Sequence, residues 1–118
     1  MQSINGRLYS IDPATGEATL VEVEGESLQS GDGLERQGAV LYVVRNFLNR
    51  IVVLRKTGTG ANGTPTEYTQ VRAIEHESFQ VPTTVAAARG RLFAVNARFG
   101  VEDPSEAEYW ITQVRKNR

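Results

Sequence analysis

The feature that most restricts the fold is a recurrence of short β-type runs. Leu41-Tyr42-Val43-Val44 returns as Leu92-Phe93-Ala94-Val95. Gly33-Leu34 precedes the first copy as Thr84-Val85 precedes the second. Residues 51–54 return as 110–114 after a longer loop, and Gly6-Arg7-Leu8-Tyr9 resembles Asn49-Arg50-Ile51-Val52, a third and partial copy. The period is roughly 50 residues with about four strands per unit, the spacing of β-propeller blades.

The runs themselves read as strands. Arg7-Leu8-Tyr9-Ser10-Ile11 alternates and enters Asp12-Pro13-Ala14-Thr15-Gly16-Glu17, where Pro13 pre-sets the first turn residue and Gly16 accepts positive φ. Residues 18–23 return with Val21 and Val23 on one face and Leu20 and Glu22 on the other. A strand starts at Gly31-Asp32-Gly33-Leu34. Residues 40–44 and 51–54 are continuous and β-branched, as expected of strands buried on both faces, with 46–49 a tight link between them. Residues 58–65 form a Gly/Thr/Asn loop. Residues 67–74, 81–87, 91–95 and 109–114 complete about nine strands, and 101–108 reads as a loop.

The expected fold class is therefore all-β, a partial β-propeller of about two to two-and-a-half four-stranded antiparallel blades. Residues 1–25 would end one blade, 26–78 form a complete blade and 79–118 most of a further one. Blades bury their faces against neighbours, so this sector needs partners: the remaining blades of a parent propeller, or copies of itself. Uncovered faces and sheet edges predict self-association of the chain alone.

Composition removes several functions. Thirteen basic and 14 acidic side chains give a net charge of −1, without the basic surplus that nucleic-acid binding requires. There is no Cys and one His, which excludes thiolate chemistry and multi-His metal sites. The longest apolar run, 39–44, is too short to span a bilayer. The N-terminal residues lack the charged and apolar regions of a signal peptide. Neither membrane nor nucleic acid is an expected partner, and the compartment stays open.

In this order the motifs resemble the SMP-30/gluconolactonase-like six-bladed propellers. The resemblance runs through Gly6 to Glu17, Gly31-Asp32-Gly33-Leu34, Leu41 to Asn46, Leu48-Asn49-Arg50-Ile51, Val81 to Ala86 and Arg91 to Phe99. The family ring is about three times this length, so the resemblance implies a C-terminal portion. It also implies metal-dependent hydrolysis of lactone esters at a divalent cation, such as Ca²⁺, held by a Glu, an Asn and an Asp from different blades. Asp32, followed by Gly33, matches the Asp. The matching Glu and Asn would come from earlier blades, so the metal site is incomplete and the chain alone should be inert. Gln29-Ser30 replaces the family's Pro-Asn before this Asp. The bland alternative for Asp32 is a turn residue bonding the backbone.

Arg45, Asn46, Asn96 and Arg98 end the two repeated strands and could line a small-molecule substrate pocket, or simply cap strand ends. His76 lies between Glu75 and Glu77 with no assignable Ser partner and reads as a solvated loop residue. The 58–64 run lacks the Lys-Ser/Thr of a phosphate loop, and Pro65 argues against use of the Asn62-Gly63-Thr64 sequon. Tyr109 and Trp110 are candidate stacking aromatics, one of them core. Arg115, Lys116 and Arg118 read as a solvated basic end. The alternative function is a non-catalytic interaction or scaffold module that completes a ring by homo-oligomerisation.

Overall fold

The computed structural model describes residues 1–116. Arg118 of the basic end lies outside them. Nine strands occur among the described residues: β1 (Leu8–Ile11), β2 (Ala18–Glu24), β3 (Gly31–Gln37), β4 (Val40–Arg45), β5 (Arg50–Thr59), β6 (Pro65–Glu75), β7 (Pro82–Ala88), β8 (Arg91–Asn96) and β9 (Ile111–Arg115). The only helical pieces among these residues are single 3₁₀ turns at Asn46–Leu48 and Ala61–Gly63. The protein is all-β, and no helix among the described residues is long and apolar enough to cross a membrane.

The first hairpin forms as its turn chemistry demands. Asp12 Oδ1 accepts the Ala14 N–H at 2.8 Å, and Gly16, at φ 76°, donates its N–H to the Asp12 carbonyl. Strands β3 to β6 form an antiparallel meander. Strand β2 then pairs with β6 in parallel, through Glu22↔Glu67, Val23↔Tyr68 and Glu24↔Thr69. The result is one sheet of order β1-β2-β6-β5-β4-β3, curled so that the β1–β2 hairpin lies over the face of its own meander. Strands β7-β8-β9 form a separate antiparallel sheet.

Two cores follow from this stacking. Leu8, Val21 and Leu28 pack on Leu41, Val43, Val52, Leu54 and Tyr68. On the other face of the meander, Tyr42, Val44, Ile51, Val53 and Ile74 pack on Val85, Leu92, Ala94 and Val114. Strands β4 and β5 thus carry apolar side chains into both cores, which is why their sequence is continuous rather than alternating. Fully burying each such aliphatic side chain stabilises by about 1.5–3 kcal/mol, so the meander is the anchor of the fold.

The recurrence is reproduced in three dimensions. The pairs Gly31↔Arg45, Leu34↔Val43 and Leu41↔Arg36 of the β3–β4 hairpin correspond to Pro82↔Asn96, Val85↔Ala94 and Leu92↔Ala87 of β7–β8, a constant offset of 51 (41 to 92, 45 to 96). Both hairpins carry a register irregularity after their first pair. Both are entered by a non-glycine residue at positive φ, Ser30 at 63° and Val81 at 51°.

Element ends differ from the sequence expectation at two places. Strands β5 and β6 extend into the expected 58–65 loop, because bulges near Gly58 absorb the mismatch and the Thr57 hydroxyl bonds across to Glu67 and Thr69. Strand β9 starts at Ile111 rather than at 109. Tyr109 is drawn towards the 101–108 loop by its hydroxyl, which donates to the Pro104 carbonyl.

Candidate functional site

The starts of β3 and β7 and the ends of β4 and β8 lie on one rim of the stack, since Gly31 pairs Arg45 and Pro82 pairs Asn96. That rim carries all five site residues expected from the sequence. Gly33 of β3 lies so near β7 that a Cβ there would stand 2.6 Å from Thr84 Cα, so the two hairpins are held together by close backbone contact.

Asp32 is exposed and accepts a bond from Asn46 Nδ2 at 3.1 Å, while Asn46 Oδ1 accepts the Phe47 N–H. Arg45 is buried and turned inward. Its Nε donates to the Gln29 carbonyl and its guanidinium pairs with Glu26 at 2.8 Å. Arg50 reaches the other Glu26 oxygen at 3.0 Å, and Gln70 Nε2 donates to the same oxygen. Burial alone would raise the Glu26 carboxyl. The Gln70 and Arg45 hydrogen bonds and the charges of Arg50 and Arg45 outweigh it and hold the group below its usual range. This cluster fastens the 25–30 loop to β4, β5 and β6.

Asn96 is 1% exposed, and its amide is fully engaged: Oδ1 accepts the Gln80 N–H, and Nδ2 donates to Thr112 Oγ1 and the Trp110 carbonyl. Arg98 lies over the Trp110 ring at 4.9 Å and donates to Gln80 Oε1 and the Glu108 carbonyl. Arg45, Asn96 and Arg98 therefore act as braces between loops. Arg98 also borders a shallow depression of about 310 Å³, with Asn49, Gln80, Val81 and Phe99. Phe99 meets Phe47 ring to ring at 6.3 Å, and both rings are exposed.

Tyr109 is exposed and Trp110 half-buried, its Nε1 donating to the Ser78 carbonyl. His76 had no partner assignable from sequence, and here the structure differs. The Ser78 hydroxyl lies 2.9 Å from His76 Nδ1, and the Ser78 N–H donates to the same nitrogen. The hydroxyl is shared with Thr112 Oγ1 at 2.8 Å, so the pair ties the β6–β7 link to β9. A Ser two residues after the His, in a turn, is the sequence signal that was missed.

A hard divalent cation takes six to eight oxygens. The rim offers the Asp32 carboxylate, and the Asn46 carbonyl oxygen is already engaged. Among the described residues no group of three or more carboxylate or imidazole side chains is placed to hold a metal. The residues present do not by themselves fit such an ion. Comparison with family models, with curated proteins and with solved structures returned no match.

Proposed function

We propose that the chain is the C-terminal sector of an SMP-30/gluconolactonase-like propeller. In this reading β3–β6 is a complete blade, β1–β2 the outer half of the preceding blade and β7–β9 most of the next. The observation that carries it is the constant 51-residue offset between two hairpins that stack in the same sense, one face of each unit on the opposite face of the next. A further feature supports it: inner strands of successive blades converge on the axis, as β3 and β7 approach each other at Gly33. The parallel β2–β6 ladder, which joins the first hairpin and the meander in one sheet, departs from the separate four-stranded sheets of propeller blades.

The family activity, hydrolysis of lactone esters at a bound cation, then belongs to a completed ring. Asp32 contributes one ligand at the mouth and other blades contribute the rest. Arg98, at the edge of the depression, is the rim residue best situated to meet a substrate. By itself the chain hydrolyses no lactone.

Calcium titration of a ring completed with the missing blades tests this. Asp32→Ala is expected to weaken binding at least about tenfold, and unchanged affinity rejects the assignment. A second reading, a non-catalytic interaction module, is favoured by the internal use of Arg45 and Asn96. In that case the sheet faces, rather than the rim, carry the function.

A further inference from the structure

We infer that copies of this chain associate head to tail, the outer face of β7–β9 in one copy receiving the outer face of the β1–β2 hairpin in the next. The inference rests on reading the chain as stacked, repeated sheet units, and it names their partner.

The internal repeat shows what covers each bare face. Phe93 and Val95 stand 51 positions after Tyr42 and Val44 (42 to 93, 44 to 95), and Ile111 pairs with Val95 as Ile51 pairs with Val44. Tyr42, Val44 and Ile51 are 3%, 0% and 0% exposed, because β7–β9 lies on them. Their counterparts face solvent: Val95 is 41% and Ile111 61% exposed, with Phe93 half-buried between them.

The other end of the stack has the complementary face. Gly6 and Asn49, both at positive φ, precede β1 and β5 at an offset of 43 (6 to 49), which places Tyr9 and Ile11 where Val52 and Leu54 stand in the meander. Val52 and Leu54 are fully buried under the first hairpin. Ile11 is 63% and neighbouring Leu20 47% exposed. Each bare face is thus one half of an interface that the chain already makes internally.

Charge fixes the pairing. The β1–β2 turn and the β7–β8 turn both lie at the end opposite the rim, since β2 runs parallel to β6 and β8 runs towards Asn96. The first carries Asp12 and Glu17, and the second gathers Arg89, Arg91, Arg115 and Lys116. Stacking in the internal sense brings acid to base. Joining two like faces would bring base to base or acid to acid. The contact is therefore heterologous, and it propagates until a ring closes or a filament grows.

Two blocked chains test it: Val95→Glu with Ile111→Glu, and Ile11→Lys with Leu20→Lys, each checked for an unchanged far-ultraviolet spectrum and melting transition. By sedimentation equilibrium between about 1 µM and 1 mM, the unsubstituted chain is expected to gain mass with concentration. Each blocked chain should stay monomeric, and their equimolar mixture should form a one-to-one dimer. A monomeric unsubstituted chain, a blocked chain that still self-associates, or a mixture that stays monomeric would each overturn the inference. If a blocked chain fails to fold, surface charge provides the check. Arg115→Glu with Lys116→Glu should weaken association at least about tenfold, and adding Glu17→Lys, which leaves the Asp12 turn intact, should restore part of it; no loss, or no restoration, overturns the inference. Calcium binding through Asp32 in a completed ring is independent of these readouts. A monomeric chain that still confers such binding would sink self-association and leave the propeller assignment standing.

Discussion

Val81 is the most constrained residue of the rim. It is β-branched, yet its φ is 51°, and its N–H is held by Asn49 Oδ1 at 2.8 Å. The left-handed region costs such a residue about 1–2 kcal/mol. Asn tolerates that conformation, so Val81→Asn is expected to stabilise the fold by about 1 kcal/mol, read as a melting midpoint raised by a few degrees. Glu26 makes the opposite case. It holds two arginines and Gln70 in a pocket where its side chain is 24% exposed, so Glu26→Gln should cost about 1–2 kcal/mol, solvent screening keeping the loss modest. Because its folded pKa lies below the usual 4.5 of a glutamate, its contribution is complete above that pH and fades as pH falls through the lower folded value. The acid limb of the stability curve should therefore flatten in the Gln variant. The sequence marked Arg45 as a candidate rim residue but gave no hint of Glu26. The two meet only because the 25–30 loop folds back against β4, a contact that no local pattern encodes.

Between the two sheets, β3 and β7 come into close backbone contact. A Cβ on Gly33 would lie 2.6 Å from Thr84 Cα and 2.7 Å from the Thr83 carbonyl oxygen. Backbone cannot step aside as a flexible side chain can, so Gly33→Ala is expected to destabilise by about 1–3 kcal/mol. It should also loosen the two hairpins from each other, measured as faster amide exchange in β7. Strand existence was legible throughout, because alternation and β-branching report burial directly. Val21 and Val23 did turn inward and Leu20 and Glu22 outward. Strand ends were less legible. The length of β5 and β6 depends on bulges near Gly58, and the start of β9 on Tyr109 bonding Pro104, both set by cross-strand partners.

At the scale of the molecule, the stack is elongated, with extents of 49 × 28 × 25 Å and a Cα radius of gyration of 15.1 Å. A compact domain of this length would have about 13.5 Å. The excess reflects layers stacked in one direction with bare faces at both ends. X-ray scattering from a chain carrying both sets of blocking substitutions should therefore give about 15 Å, and a value near the compact one would mean that the sheets close on themselves. By itself the sequence determined the strands, the repeat and the faces that must be apolar, because alternation, turn residues and period are local properties of a chain. Only the tertiary structure decided that β2 joins β6 in parallel, that Arg45 and Asn96 turn inward and that Ser78 meets His76. Those contacts depend on which sheet lands on which, and that is settled by burial summed over the whole stack.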